Sequence, residues 1–271
     1  MPAMPARQRD SGVGKNSGVG KNSGAEKNST AEEDKLPIHD HLEELRWRLI
    51  KCVIAVAVGF VGTYAFKERI FDFLMWPLIK VLPENSRMIY TSLPEAFITY
   101  IKVSFFAGLV LATPVIFYQI WKFIMPGLYP NEQRYVVPFM LAATALFLAG
   151  AIFAYSVVFP YGFMFFLSFQ TENISALPAM KEYLGLVMKL TLAFGLSFEL
   201  PVIMFFLAKM GIVNPQRLRQ SRKYAIFIVF IVAAILTPPD VFSQIMLAIP
   251  LLILYEVSIW VTRFAGKKSR E

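Results

Sequence analysis

Three glutamates occupy positions where a carboxylate could bind a cation or hold a proton. Glu44 lies in a mixed polar and apolar run, Glu132 lies in a short polar stretch, and Glu199 lies inside an apolar segment. An ionisable group at membrane depth costs about 2.5–3.5 kcal/mol on insertion scales, and such groups usually face a bundle interior or a wet cavity. Glu199 is therefore a functional candidate by position alone.

Local roles can explain two of these acids without any ligand. Glu44 could pair with Arg48 one helical turn later, a contact that contributes about 0.2–0.5 kcal/mol. Asn131 could cap a helix whose first turn holds Glu132, where a negative charge favours the helix dipole. Both local roles stay open beside a binding role.

Other polar groups at membrane depth also have local explanations. Pro201 frees a carbonyl one turn earlier, so a protonated Glu199 could be bonded within its own helix. Gln244 could bond across a tight helical hairpin, and Glu256 could reach the membrane surface or pair with Arg263. Of these groups, Glu199 is the hardest to explain structurally.

The motifs of several enzyme classes are missing from the chain. It has no G-x-x-x-x-G-K-[ST] loop, no H-E-x-x-H pair and no G-x-S-x-G elbow. One Cys and two His make a Cys/His zinc site improbable. We therefore expect no enzymatic activity, no metal and no cofactor, and any transport work must draw its energy from outside the chain.

The composition is that of a protein embedded in lipid. Of the 271 residues, 56% are hydrophobic and 17% are charged, and the mean hydropathy is +0.52. Soluble domains are about 45–50% apolar and about 25% charged. The sequence thus predicts an all-α integral membrane protein in contact with the lipid bilayer.

Six segments are candidates for membrane spans, because a spanning helix needs about 20 mainly apolar residues. The last two are joined by a tight Thr-Pro-Pro-Asp turn, and the fifth is short. We predict a disordered, repeat-containing tail at 1–35, a six-helix domain at 36–264 and a C-terminal tail at 265–271. The spans are Leu49–Phe66, Ala96–Trp121, Tyr135–Pro160, Leu186–Leu207, Tyr224–Leu236 and Val241–Thr262.

Prolines and short polar motifs shape these spans. Five prolines lie inside these spans or at their ends. Because proline kinks a helix, we expect curved helices and a concave body. The apolar run at 70–82 predicts a short interfacial helix, and Ser92 to Glu95 reads as a capping box that explains Glu95 structurally. The prolines are Pro114, Pro138, Pro160, Pro201 and Pro250.

The net charge of +8 follows membrane topology. Of the 27 Lys and Arg residues, 20 fall on the side of the membrane that holds both termini, and 7 fall on the other. The positive-inside rule places both termini in the cytoplasm. Because topology accounts for the basic excess, we do not expect nucleic acid as a partner.

Five motifs, in order, resemble the TatC family of the twin-arginine protein translocase. The resemblance covers about residues 36–264 and excludes the N-terminal repeat. The motifs are HLEELRWRL at 41–49, TSLPEAF at 91–97, FYQIWKFIMPGLYPNEQR at 117–134, FGLSFELP at 194–201 and TPPDVFSQIMLAIP at 237–250.

This resemblance implies a receptor in the bacterial cytoplasmic membrane for twin-arginine signal peptides on folded cargo. Two carboxylates on a fixed surface suit a guanidinium pair, because Arg–carboxylate contacts are strong and directional. By motif match, the acids carry over to Glu44 and Glu132. Leu42, Arg46 and Phe123 carry over as residues that shape the same surface.

The resemblance also assigns roles within the membrane. Glu199 matches the buried acid of the fourth span, which faces a concave pocket, and Asp240 matches the acid of the outer hairpin. Thr237 and Gln244 match the short spans at which single-span TatA/TatB-type partners dock. We expect a multi-copy assembly driven by the proton gradient.

The alternative is a secondary transporter of a small solute, with Glu199 as its proton-coupling acid. Transporters of that kind are commonly built from inverted repeats with paired broken segments. The two halves of this chain show no self-similarity, which favours the receptor.

Overall fold

The computed structural model describes residues 36–83, 88–124, 136–171 and 176–267. The chain divides into two compact units, Met1–Arg46 and Trp47–Glu271, and each is considered by itself below. The predicted tail at 1–35 lies outside the described residues, as does most of the segment at 265–271, so these two boundaries stay predictions.

Helices dominate the described residues, as the apolar segments predict. Outside the helices, an isolated parallel bridge pairs Ile89 with Ala179. The helices are α1 Leu36–Tyr64, α2 Lys67–Ile79, α3 Glu95–Ile124, α4 Val136–Phe153, α5 Phe159–Leu167, α6 Met180–Ser197, α7 Leu200–Lys209, α8 Pro215–Gln220, α9 Arg222–Leu236 and α10 Val241–Lys267; a π-helix at Ala154–Val158 joins α4 to α5.

Four described stretches are long and apolar enough to cross a membrane by themselves: Glu95–Ile124, Val137–Leu167, Met180–Lys209 and Val241–Phe264. A fifth results if His41–Tyr64 and Lys67–Ile79, bent by 86° from each other, count as one broken span. The predicted fifth span corresponds to α9, whose 15 residues rise only about 22 Å. The six-span prediction thus fits this fold, with its shortest span below the usual length.

Prolines mark the two breaks inside spans. Pro160 has no N–H to continue an α-helical ladder, and the five residues Ala154–Val158 before it widen into a π-helix. Pro201 stands in the first turn of α7, and the backbone turns between α6 and α7 at Phe198 and Glu199. Pro114 and Pro250, by contrast, lie within α3 and α10.

The crossing of α1 and α3 depends on small residues. A Cβ added to Gly108 would lie 2.5 Å from the backbone nitrogen of Phe60, and one added to Gly59 would lie 2.7 Å from the Gly108 carbonyl oxygen. The Thr63 hydroxyl donates to the Ser104 carbonyl across the same crossing at 2.7 Å. Such close backbone approach is typical of helix pairs in membranes.

The main core surrounds α6. Leu184, Val187 and Phe194 on that helix are fully shielded from solvent, and Phe71 and Leu74 of α2 pack into the same cluster. The capping box is confirmed in part, because the Glu95 carboxylate accepts from the Ser92 N–H at 3.2 Å. This side of the fold is therefore held by α2, the start of α3 and the start of α6 together.

Candidate functional site

The buried acid of the fourth span sits at the junction of α6 and α7. Glu199 is 5% exposed, and its backbone carbonyl accepts from the Ile203 N–H at 2.9 Å to begin α7. Its Oε1 has no hydrogen-bond partner among the described residues. A buried polar atom without a partner is uncommon and calls for an explanation, which makes Glu199 a functional candidate.

Close packing of α4 against α6 positions this carboxyl. A Cβ at Gly195 would meet the Phe147 ring at 2.6 Å, and one at Gly150 would meet the Phe194 carbonyl at 2.6 Å. The lining of each of the two large described cavities, about 550 Å³ apiece, consists of other residues. The expected opening of Glu199 onto a concave pocket stays a prediction.

Three candidate residues of the motif at 41–49, namely Leu42, Glu44 and Arg46, lie in the first unit of the chain. Leu42 and Arg46 are exposed on α1, and Glu44 is half-buried. The Glu44 carboxylate lies 3.8 Å from the Nδ1 of His41, one turn earlier on the same helix. Because residues two positions apart point to opposite sides of a helix, Leu42 and Arg46 lie on one side of α1 and Glu44 lies on the other.

The loop motif is only partly visible. Phe123 is half-buried in the last turn of α3, whereas Glu132 lies outside the described residues. An aromatic cluster holds the helices on either side of this loop. Trp121 stacks on Phe139 of α4 with ring centroids 5.3 Å apart, and meets Phe206 of α7 edge-on at 4.8 Å.

The hairpin motif forms a tight, hydrogen-bonded turn. Asp240 caps α10 by accepting from the Ser243 N–H at 2.7 Å, while its Oδ2 and the Ser243 hydroxyl have no partner among the described residues. Gln244 donates to the Phe230 carbonyl of α9 at 3.0 Å, which confirms the bond expected across the hairpin. Thr237 donates to the Ala233 carbonyl at 2.8 Å and lines one of the two large cavities.

The structure shows partners of two acids, Glu95 and Glu256, that the sequence analysis missed. Glu95 is 4% exposed, and besides Ser92 it accepts from the N–H and hydroxyl of Thr91 and from the Lys181 N–H of α6. Glu256 pairs with Arg222 of α9 at 2.7 Å, not with Arg263. The capping motif signals the first acid, whereas no local pattern signals either long-range partner.

Comparison with known proteins shows the family. The family model described as Sec-independent protein translocase protein (TatC) matches residues 40–250. The TatC of Desulforapulum autotrophicum is 55% identical over 235 residues, covering 87% of each chain. The TatC of Escherichia coli K12 is 45% identical over 237 residues, covering 88% of this chain and 92% of its own.

A solved structure agrees with these relatives. The crystal structure of a twin-arginine translocase receptor, TatC, is 40% identical to this chain and superposes with a TM-score of 0.76. The match covers 83% of this chain and 99% of that one. The chain belongs to the TatC family of Sec-independent protein translocase proteins.

Proposed function

We propose that this chain is the receptor subunit that binds twin-arginine signal peptides of folded proteins on the cytoplasmic face of a bacterial cytoplasmic membrane. The observation that carries the proposal is the likeness of this chain, over 83% of its length, to a solved twin-arginine translocase receptor. Both termini would face the cytoplasm, as the distribution of Lys and Arg indicates.

The arginine pair would be read by Glu44 and Glu132. A half-buried carboxylate on an otherwise exposed helix suits a peptide that carries a pair of guanidinium groups. Leu42, Arg46 and Phe123 would shape the surface around the two acids. The aromatic cluster around Trp121 supports this role, because it fixes the helix ends from which the loop carrying Glu132 departs.

Single-span TatA/TatB-type partners would dock at the hairpin of α9 and α10 and near Glu199. Thr237 opens onto a cavity there, and Asp240 keeps one buried oxygen without a partner among the described residues. The unpaired Oε1 of Glu199 would accept a hydrogen bond once a partner helix packs beside it. Several copies would assemble, with transport driven by the proton gradient and no catalysis by the chain itself.

Crosslinking of a twin-arginine peptide to the full chain in membranes tests the site. Glu44→Gln and Glu132→Gln should each weaken peptide binding about tenfold, because each removes one charged acceptor for a guanidinium. Glu43→Gln is the matched control, since Glu43 is the neighbouring acid but does not directly precede Leu45 and Arg46, as Glu44 does. Unchanged binding in both Glu44→Gln and Glu132→Gln would refute the assignment.

A further inference from the structure

Helix α2 runs nearly perpendicular to α1, the helix before it. The angle between His41–Tyr64 and α2 is 86°. A helix perpendicular to one that enters the membrane runs along the membrane surface. One side of α2, with Phe71, Leu74 and Leu78, packs into the core, so its remaining sides face lipid and water.

Aromatic and basic side chains share one exposed face of α2 and of the two residues that flank it. Phe66, Arg69, Phe73, Trp76 and Lys80 follow at spacings of three and four, which places them on one side of a helix. The three aromatic rings are between 51% and 60% exposed. Lys80 Nζ lies 3.4 Å from the centroid of the Trp76 ring, and the Arg69 guanidinium lies 6.0 Å from that of Phe66.

The acids of α2 lie on a different face. Helical geometry of 100° per residue places Glu68 and Asp72 to one side of the aromatic face, away from the apolar cavity described next. Cations beside lipid-facing aromatics, with acids turned away, are typical of helices that rest on phospholipid headgroups. A negative group is thus the complement of this face.

An apolar cavity of about 550 Å³ opens beside this face. Phe73 and Leu74 of α2 form one wall, and Leu111 and Ile152, which are largely exposed, flank its open side. Its three threonines, at 63, 113 and 191, each donate to a backbone carbonyl, so their hydroxyl protons are already bonded. The cavity therefore suits a hydrocarbon chain better than a polar ligand.

We propose that α2 and this cavity bind one phospholipid of the leaflet in which α2 lies. One acyl chain fills the cavity against Phe73, and the phosphate lies beside Arg69, one turn before Phe73, at the membrane surface. Lys80 lies about 16 Å further along the helix and adds a longer-range positive charge. The lipid would complete the packing between α2, α3 and α4 where the described chain leaves a gap. The site contains neither Glu44 nor Glu132, the two acids proposed to bind the arginine pair.

Native mass spectrometry of the full chain, with palmitoyl-oleoyl-phosphatidylglycerol or diacylglycerol of the same chains added, tests the proposal. We expect one phosphatidylglycerol retained per chain, and weaker retention of the diacylglycerol, which has no phosphate. Arg69→Gln should weaken phosphatidylglycerol retention about fivefold, and Lys80→Gln should weaken it less because Lys80 lies further from the phosphate. Lys181→Gln is the matched control, because that exposed lysine contacts Glu95 only through its backbone N–H.

Variants that fill the cavity test the acyl chain. Ala151→Phe should reduce retention of both lipids, and Leu111→Trp narrows the open side if Ala151→Phe does not fold. Equal retention in Arg69→Gln and in Lys181→Gln would overturn the phosphate site. Full retention in a folded cavity variant, or a co-purified protein in place of lipid, would overturn the acyl site. Normal twin-arginine peptide binding in the same variants separates either failure from a failure of the proposed function.

Discussion

The crossing of α1 and α3 gives a stability prediction whose sign can be worked out atom by atom. In Gly108→Ala, the new methyl group would lie 2.5 Å from the Phe60 nitrogen and 2.8 Å from the Gly59 carbonyl carbon. Both contacts are with backbone, which cannot rotate away, so the two helices must separate. Separation also lengthens the 2.7 Å bond from Thr63 to the Ser104 carbonyl.

Overpacking of this kind typically costs about 1–3 kcal/mol, and backbone contacts favour the upper end. Alanine regains about 1 kcal/mol over glycine within a helix. The net loss should be about 1–2 kcal/mol, or a fall of about 3–6 °C in Tm for a chain of this size. Gly59→Ala should lose a similar amount of stability. The double variant should lose less than the sum of the two single losses, because one separation of the helices relieves both contacts.

Gly62→Ala and Gly185→Ala are the matched controls. A Cβ at either position meets nothing within 4 Å, so only the gain in helix propensity remains. Thermal unfolding of the purified proteins in one detergent, followed by tryptophan fluorescence, should show both controls at or slightly above the parent Tm. Equal behaviour of Gly108→Ala and Gly62→Ala would refute the close crossing.

Three further predictions concern the acids and the aromatic cluster. Glu95→Gln should speed hydrogen exchange of the Thr91 and Lys181 amides, which now donate to its carboxylate; unchanged exchange would show that the carboxylate does not hold these segments together. Trp121→Ala should lower the free energy of unfolding by about 3–5 kcal/mol, measured by denaturant titration, because it removes the ring that packs against Phe139 and Phe206 and leaves a cavity there. Glu199→Ala should leave peptide crosslinking intact and impair export of a reporter; a fully active variant would favour a purely structural role.

The apolar segments predicted the helices well because length and hydropathy decide whether a chain crosses a membrane. The prolines were predicted to kink the spans, and two of them lie next to irregular backbone: Pro160 follows a π-helix and Pro201 stands in the first turn of α7. Pro114 and Pro250 were less informative, since each is accommodated within a single helix. Whether a proline interrupts a helix depends on neighbouring packing, which the local sequence does not specify.

Partners distant in the chain were the part that local patterns could not predict. Glu256 was expected to reach the membrane surface or pair with Arg263 on its own helix, yet its partner is Arg222 on α9. Glu95 was recognised as a cap, but its contact with Lys181 joins segments 86 residues apart. The hydrogen bond of Gln244 across the hairpin was predicted correctly, because a four-residue turn leaves few partners within reach.

The assignment of the recognition acids depended on family resemblance more than on physical reasoning from the residues. Glu44 has a local neighbour in His41, and a carboxylate on a helix surface is common in any protein. Only its place directly before Leu45 and Arg46, as in the family's motif, distinguishes it from Glu43. Glu199 is different, because its depth in an apolar segment predicted the burial that the structure shows.

Binding of a twin-arginine signal peptide to the full chain in nanodiscs tests the central claim most directly. The peptide should bind saturably, and its Lys-Lys variant should bind at least about tenfold more weakly, because lysine cannot form the paired bonds of a guanidinium with a carboxylate. Equal affinity for the two peptides would contradict recognition of the arginine pair by this protein.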